Sequence, residues 1–142
     1  MPQPARARRV SDADYARLLT VRSELRRFEG WSAEQAAAQG LTASQHQLLL
    51  AVRGHDEEVG PTISQAADYL LIRHHSAVEL VDRTAKAGLI VRTRDAHDHR
   101  VVRLQLSDEG HRILEALSEA HLAELANLTP LFESLLEALH RD

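Results

Sequence analysis

Between residues 70 and 103 the chain carries Arg73, Arg83, Lys86, Arg92, Arg94, Arg100 and Arg103 against Glu79, Asp82, Asp95 and Asp98, a local net charge of +3. Guanidinium groups suit a polyanion. Their planar fork of donors matches phosphate oxygens, and their charge persists at any working pH. His74, His75 and Ser76 follow Arg73 directly, adding donors and acceptors that can read polar edges. Residues 108–142 are the opposite, with eight acidic side chains against Arg112 and Arg141, a net charge of −6. The total of −4 therefore hides a basic segment and an acidic tail, a polarity that orients the molecule on a polyanion.

Other chemistries find little to work with. There is no G-x-S-x-G, phosphate loop or dinucleotide fingerprint. Ser76 lies beside His74 and His75, but adjacent residues on a helix do not face one another, so they make no triad. The chain is not expected to be an enzyme, and no cofactor is expected. Cysteine is absent, which removes disulfides, thiolate metal sites and thiol redox sensing. His97-x-His99, with Asp95 and Asp98, reads as an exposed polar turn, because no further ligand pair follows at metal-binding spacing. No apolar run approaches the ~20 residues of a membrane span. The start, MPQPARARRV, is basic but lacks the apolar stretch of a signal peptide. These features predict a soluble cytoplasmic protein.

The elements that position these residues are mostly helices. Hydrophobic residues make up 44% of the chain and aromatics only 4%, so Leu, Ala and Val must build the core. Residues 1–10 read as a mobile arm. Ser11 with Asp14 predicts a capped helix carrying Leu18, Val21, Leu25 and Phe28 and closing at Gly30, followed by a short helix ending at Gly40. Thr42-x-x-Gln45 and Thr62-x-x-Gln65 are capping boxes opening two more helices. The next helix spans about 74–87 and buries Ala77, Leu80, Val81 and Thr84, with Gly88 as its stop. Ile90–Arg94 and Val101–Leu106 are predicted strands around the turn DAHDH. Ser107 caps a long helix to about Asn127, and Thr129-Pro130 opens a last helix with Leu131, Leu135 and Leu139. A helix pair followed by a hairpin with an arginine-rich tip is the plan of a winged helix-turn-helix.

The stretch LLIRHHSAVELVDRTAKAGLIVRTRDAHDHRVVRLQLSDEG resembles the core of the MarR family of bacterial transcriptional regulators. The matching pieces are LVDR in the second helix, GLI before the first strand, Asp98-x-Arg100 in the wing, and LQLSDEG after it. The resemblance implies a mainly α protein: a winged helix-turn-helix with a small β-hairpin wing and flanking N- and C-terminal dimerisation helices. Residues 1–142 would form a single domain, with 11–40 and 108–142 as the helical dimerisation region and 42–107 as the DNA-binding region.

It further implies that His75 and Ser76 touch bases, that Arg73 and His74 suit phosphate, and that Arg100 enters the minor groove while Asp98 holds its guanidinium. Arg94 is the second wing contact, and Arg92 and Arg103 are candidate phosphate partners. Glu79 and Arg83 share the outer face of the reading helix. Departures from the family pattern are Arg73 in place of a serine cap, Thr84 in place of leucine, and His99 in place of a wing arginine. A ligand pocket is sought at Tyr15, Phe28, Trp31, His46 and Arg53, with an aromatic or anionic effector suggested by the resemblance. His46 and His121 fall near ligand positions of zinc-responsive members, but Leu117 stands where a second tail histidine would be expected. His121, on an apolar stripe, reads rather as a satisfied interior histidine.

The expected function is a homodimeric, sequence-specific DNA-binding regulator of a pseudo-palindromic operator, modulated by a small molecule. A dimeric winged-helix interaction module without DNA binding, or a metal-responsive regulator, are the alternatives.

Overall fold

The computed structural model describes residues 9–140, so most of the N-terminal arm and the last two residues lie outside it. Helix α1 runs Asp12–Ala38, α2 Ala43–Gly54, α3 Ile63–Leu70 and α4 His74–Lys86. Strands β1 (Ile90–Arg94) and β2 (Val102–Leu106) follow, and α5 spans Asp108–His140. The fold is mainly helical with one two-stranded antiparallel sheet, in the winged helix-turn-helix order.

The helix starts obey local hydrogen-bond chemistry. Ser11, Thr42 and Thr62 each accept from the backbone N–H three residues on, and Asp14, Gln45 and Gln65 reach back to the cap. Arg73 gives α4 no side-chain cap, which leaves its first-turn N–H groups open. Ser107 caps α5 by accepting from Gly110 N at 3.0 Å, while its hydroxyl donates to Gly88 O at 2.6 Å.

Two expected helix breaks are absent. Gly30 does not close the first helix: α1 continues for 27 residues, through Trp31, to the stop at Gly40 (φ 77°). A lone glycine costs a helix only about 1 kcal/mol, less than the packing of its two halves returns. Pro130 likewise lies inside α5, which is one helix of 33 residues rather than two. The leucine spacing continues across it, and Thr129 Oγ1 bonds back to Leu125 O at 2.9 Å, within the helix.

Leu48 and Leu49 of α2, Val81 of α4 and Leu104 of β2 are the largest fully buried aliphatic side chains, joined by Ile113, Leu114 and Leu117 of α5. Thr84 is fully buried as expected, and its hydroxyl donates to Leu80 O at 2.7 Å, so the extra polar atom is satisfied. β1 and β2 pair from Ile90↔Leu106 to Arg94↔Val102. The other edge of β2 receives Thr62 as an isolated bridge to Arg103, with Leu104 N donating to Pro61 O at 2.9 Å. That third contact explains Gly60: a Cβ there would sit 1.9 Å from Leu104 O, and its φ is +82°. Among the described residues, no helix is long and apolar enough to cross a membrane.

Candidate nucleic-acid interface

The turn between α3 and α4 delivers the polar residues to the surface. Arg73, His74, His75, Glu79 and Arg83 are exposed and Ser76 is half-buried, while Ala77, Leu80, Val81 and Thr84 face the core. The helix therefore offers one polar face, whose first turn has open N–H groups and a favourable dipole for anions. His74 Nδ1 lies 3.3 Å from Ser64 Oγ, which ties α4 to the preceding helix.

The wing turn is held by two carboxylates. Asp95 accepts from His97 N at 3.0 Å, from Asp98 N at 2.9 Å and from Arg103 Nε at 3.1 Å. Those backbone donors, and then Arg103, keep its pKa below the usual value. Asp98 accepts from Arg100 Nε at 3.1 Å, Arg100 Nη2 at 3.2 Å and Arg100 N at 3.1 Å. The Arg100 guanidinium, followed by its backbone N–H, lowers the Asp98 pKa in turn. The Arg100 side chain is nevertheless 91% exposed, so its charge projects from the tip in a fixed orientation.

The remaining arginines differ in setting. Arg94, itself exposed, donates to His99 O at 2.7 Å and so braces the turn. Arg92 of β1 is paired with Asp82 of α4. Arg103 is only 16% exposed, donating to Asp95 and, at 3.3 Å, to Gly60 O. These long-range partners have no signature in sequence spacing.

The pocket residues separate. Phe28 and His46 line a cleft of about 790 Å³ between α1, α2 and α5, together with Ser32, His121 and Leu125. Trp31 stands beside it, its ring 4.7 Å from that of His121. Tyr15 is exposed far toward the start of α1, and Arg53 lines a different cleft. Both nitrogens of His121 have partners: Nδ1 lies 2.6 Å from Leu117 O and Nε2 2.7 Å from Ser32 Oγ. The carbonyl can only accept, so Nδ1 carries the proton and Nε2 accepts from the serine hydroxyl. The His46 ring stacks 4.7 Å from that of His121; burial, and then the neighbouring His121, lower its pKa. Ser32 was invisible to sequence reasoning, because its partner is 89 residues away.

Residues 39–101 match the model of the MarR family. The match spans the helix-turn-helix and the wing turn just described. That segment, from α2 to the wing turn, is similar to the MarR family. A MarR-family protein from Bacillus stearothermophilus superposes with a TM-score of 0.73 at 25% identity, covering 94% of this chain and 97% of that one. The HTH-type transcriptional repressor MdtR of Bacillus subtilis (strain 168) is 25% identical over 124 residues, 86% of this chain and 78% of MdtR. At 18% identity, Staphylococcus aureus MepR, solved as a MepR–DNA complex, shares the fold with a TM-score of 0.57 over 94% of this chain and 85% of its own. Close packing also explains Gly110 in LQLSDEG. A Cβ there would lie 2.1 Å from Leu89 O, so only glycine lets α5 start against the lead-in to β1.

Proposed function

We propose that this protein is a cytoplasmic, homodimeric transcription regulator that binds a pseudo-palindromic DNA operator and is modulated by a small molecule. The observation that carries the DNA reading is Arg100: a highly exposed guanidinium held in orientation by both oxygens of Asp98 at the wing tip. A preoriented arginine answers the concentrated negative potential of a narrow minor groove. The polar face of α4 enters the adjacent major groove, with His75 and Ser76 at base edges and Arg73, His74 and the helix N-terminus at phosphate. Arg83 and Glu79 flank that contact. Arg94, Arg92 and Arg103 strengthen the positive field, the last two from within ion pairs. MepR, of the same fold, is solved bound to DNA.

The dimer is supported by apolar surface on the outer helices. Leu18, Leu19 and Leu25 of α1 and Leu122, Leu136 and Leu139 of α5 are all about half-exposed or more. A monomer seldom leaves so many leucines in water on two adjacent helices. Residues 11–40 and 108–142 are thus the proposed dimerisation region, and 42–107 the DNA-binding region. Two-fold pairing would set the two α4 helices about one DNA turn, ~34 Å, apart. The cleft at Phe28, Ser32, His46 and His121 lies where α5 meets α1 and α2. An aromatic, anionic ligand there would alter the spacing of the reading heads by favouring one dimer geometry.

Fluorescence anisotropy with the DNA upstream of its own gene, backed by selection from genomic fragments, tests the reading. Saturable, salt-sensitive binding should fall at least about tenfold in Arg100→Ala, with the salt slope reduced by about one. Failure to select any fragment would leave a dimeric winged-helix interaction module instead.

A further inference from the structure

The turn after α2 holds a second constellation, remote in role from the reading head. The side chain of His55 is only 4% exposed, yet its Nε2 has no hydrogen-bond partner. Its other nitrogen, Nδ1, lies 2.8 Å from the hydroxyl of Tyr69 on α3. Glu57 Oε1 is 3.6 Å from Nε2, beyond hydrogen-bond reach, and Asp56 Oδ1 is 3.5 Å from Nδ1. One donor atom from each of the three residues falls within 4.8 Å of the others. The cleft they line, about 390 Å³, also contains Glu58 and His111, with Arg53 as its one arginine.

We propose that His55, Asp56 and Glu57 bind a divalent d-block cation of zinc-like chemistry. A buried imidazole nitrogen without a partner is costly, and a Lewis acid is one of the few groups that satisfies a lone pair there. With Nδ1–H donating to Tyr69 Oη, the Nε2 lone pair is free to ligate. That outer hydrogen bond is the usual means of fixing the ligating tautomer. Two ligands on a tetrahedral ion with ~2.0–2.1 Å bonds are ~3.4 Å apart, close to the Nε2–Glu57 separation. Asp56, with its side chain 88% exposed, has no packing that opposes its turning toward them. Three carboxylates face a single arginine, so the local field favours a cation. One imidazole with oxygen donors suits zinc, cobalt, nickel or manganese better than calcium or magnesium, which prefer all-oxygen sets. His111, across the same cleft, or water would complete the shell.

The site is coupled to the wing. Gln105 of β2 donates to Glu58 O at 2.8 Å, and Arg103 of β2 donates to Gly60 O. A cation here would stiffen the turn that carries both acceptors, and through Tyr69 would anchor α3.

Calorimetric titration of the chelator-stripped full chain with zinc chloride tests the assignment, with visible absorption of bound cobalt as a second probe. The expected result is one saturable site per chain in the micromolar range. Glu57→Gln should weaken it at least about tenfold, and His55→Gln should abolish it. The double variant His46→Gln/His121→Gln should bind as the parent does. Glu57 is about half-exposed, so its variant folds regardless of any part His55 plays in stability. The absence of saturable binding, an unchanged affinity in Glu57→Gln, or loss of binding in the His46/His121 variant would each overturn the proposal.

Discussion

Asp82 of α4 and Arg92 of β1 are joined side chain to side chain, tying α4 to the wing. The pair links the two elements proposed to enter neighbouring grooves. Both groups are substantially exposed, at 51% and 38%, so the pair should contribute little to stability. Asp82→Ala is expected to change unfolding free energy by less than about 1 kcal/mol. Its effect on DNA affinity should be larger, because the wing loses its orientation relative to α4. Equal losses in the two assays, measured by urea unfolding and anisotropy, would show that the pair has no orienting role.

His46 makes stability depend on pH. Its unfolded value is near 6.5, and burial beside His121 lowers it in the fold. Between the two values the unfolded chain binds a proton that the folded chain does not. The contribution of His46 is therefore constant above 6.5, becomes destabilising as pH drops through 6.5, and levels off below the folded value. His46→Phe should flatten this part of the profile. Urea denaturation across mildly acidic pH checks it, and parallel curves for parent and variant would refute it.

Gly110 should tolerate no side chain. An alanine Cβ would meet the backbone carbonyl of Leu89 at 2.1 Å, and backbone cannot step aside as a side-chain tip can. Gly110→Ala is expected to cost about 1–3 kcal/mol, despite alanine's better helix propensity. Gly30→Ala is the control: its Cβ would meet nothing within 4 Å, so the same change should stabilise α1 by roughly 0.5–1 kcal/mol. Chemical denaturation of both variants gives the comparison, and a matching sign would contradict the argument.

Pro130 interrupts the hydrogen-bond ladder of α5 without ending the helix. Pro130→Ala restores the missing N–H and should stabilise the protein by up to about 3 kcal/mol. Thermal unfolding at fixed protein concentration reads the change. A lower midpoint would mean that the local geometry Pro130 imposes is required for packing, for example against a second copy.

What the chain determined alone is what its near neighbours determine. The caps at Ser11, Thr42 and Thr62 were legible because cap and partner lie within three residues. The buried face of α4 followed from its spacing, and the wing from two short strands around a polar turn. The contact of Asp98 with Arg100 was implied by the family resemblance, and it joins residues two apart. The continuity of α1 through Gly30 and of α5 through Pro130 was not legible. A local breaker reports a local cost, whereas the tertiary contacts that offset it are distant in sequence.

The same distance hid Asp82–Arg92, Arg103 with Gly60 O, and Ser32 with His121. It also hid the orphan nitrogen of His55, whose other nitrogen faces Tyr69. Sequence names the donors and acceptors. Only the packed chain decides which of them meet, because meeting depends on how helices and strands lie across one another.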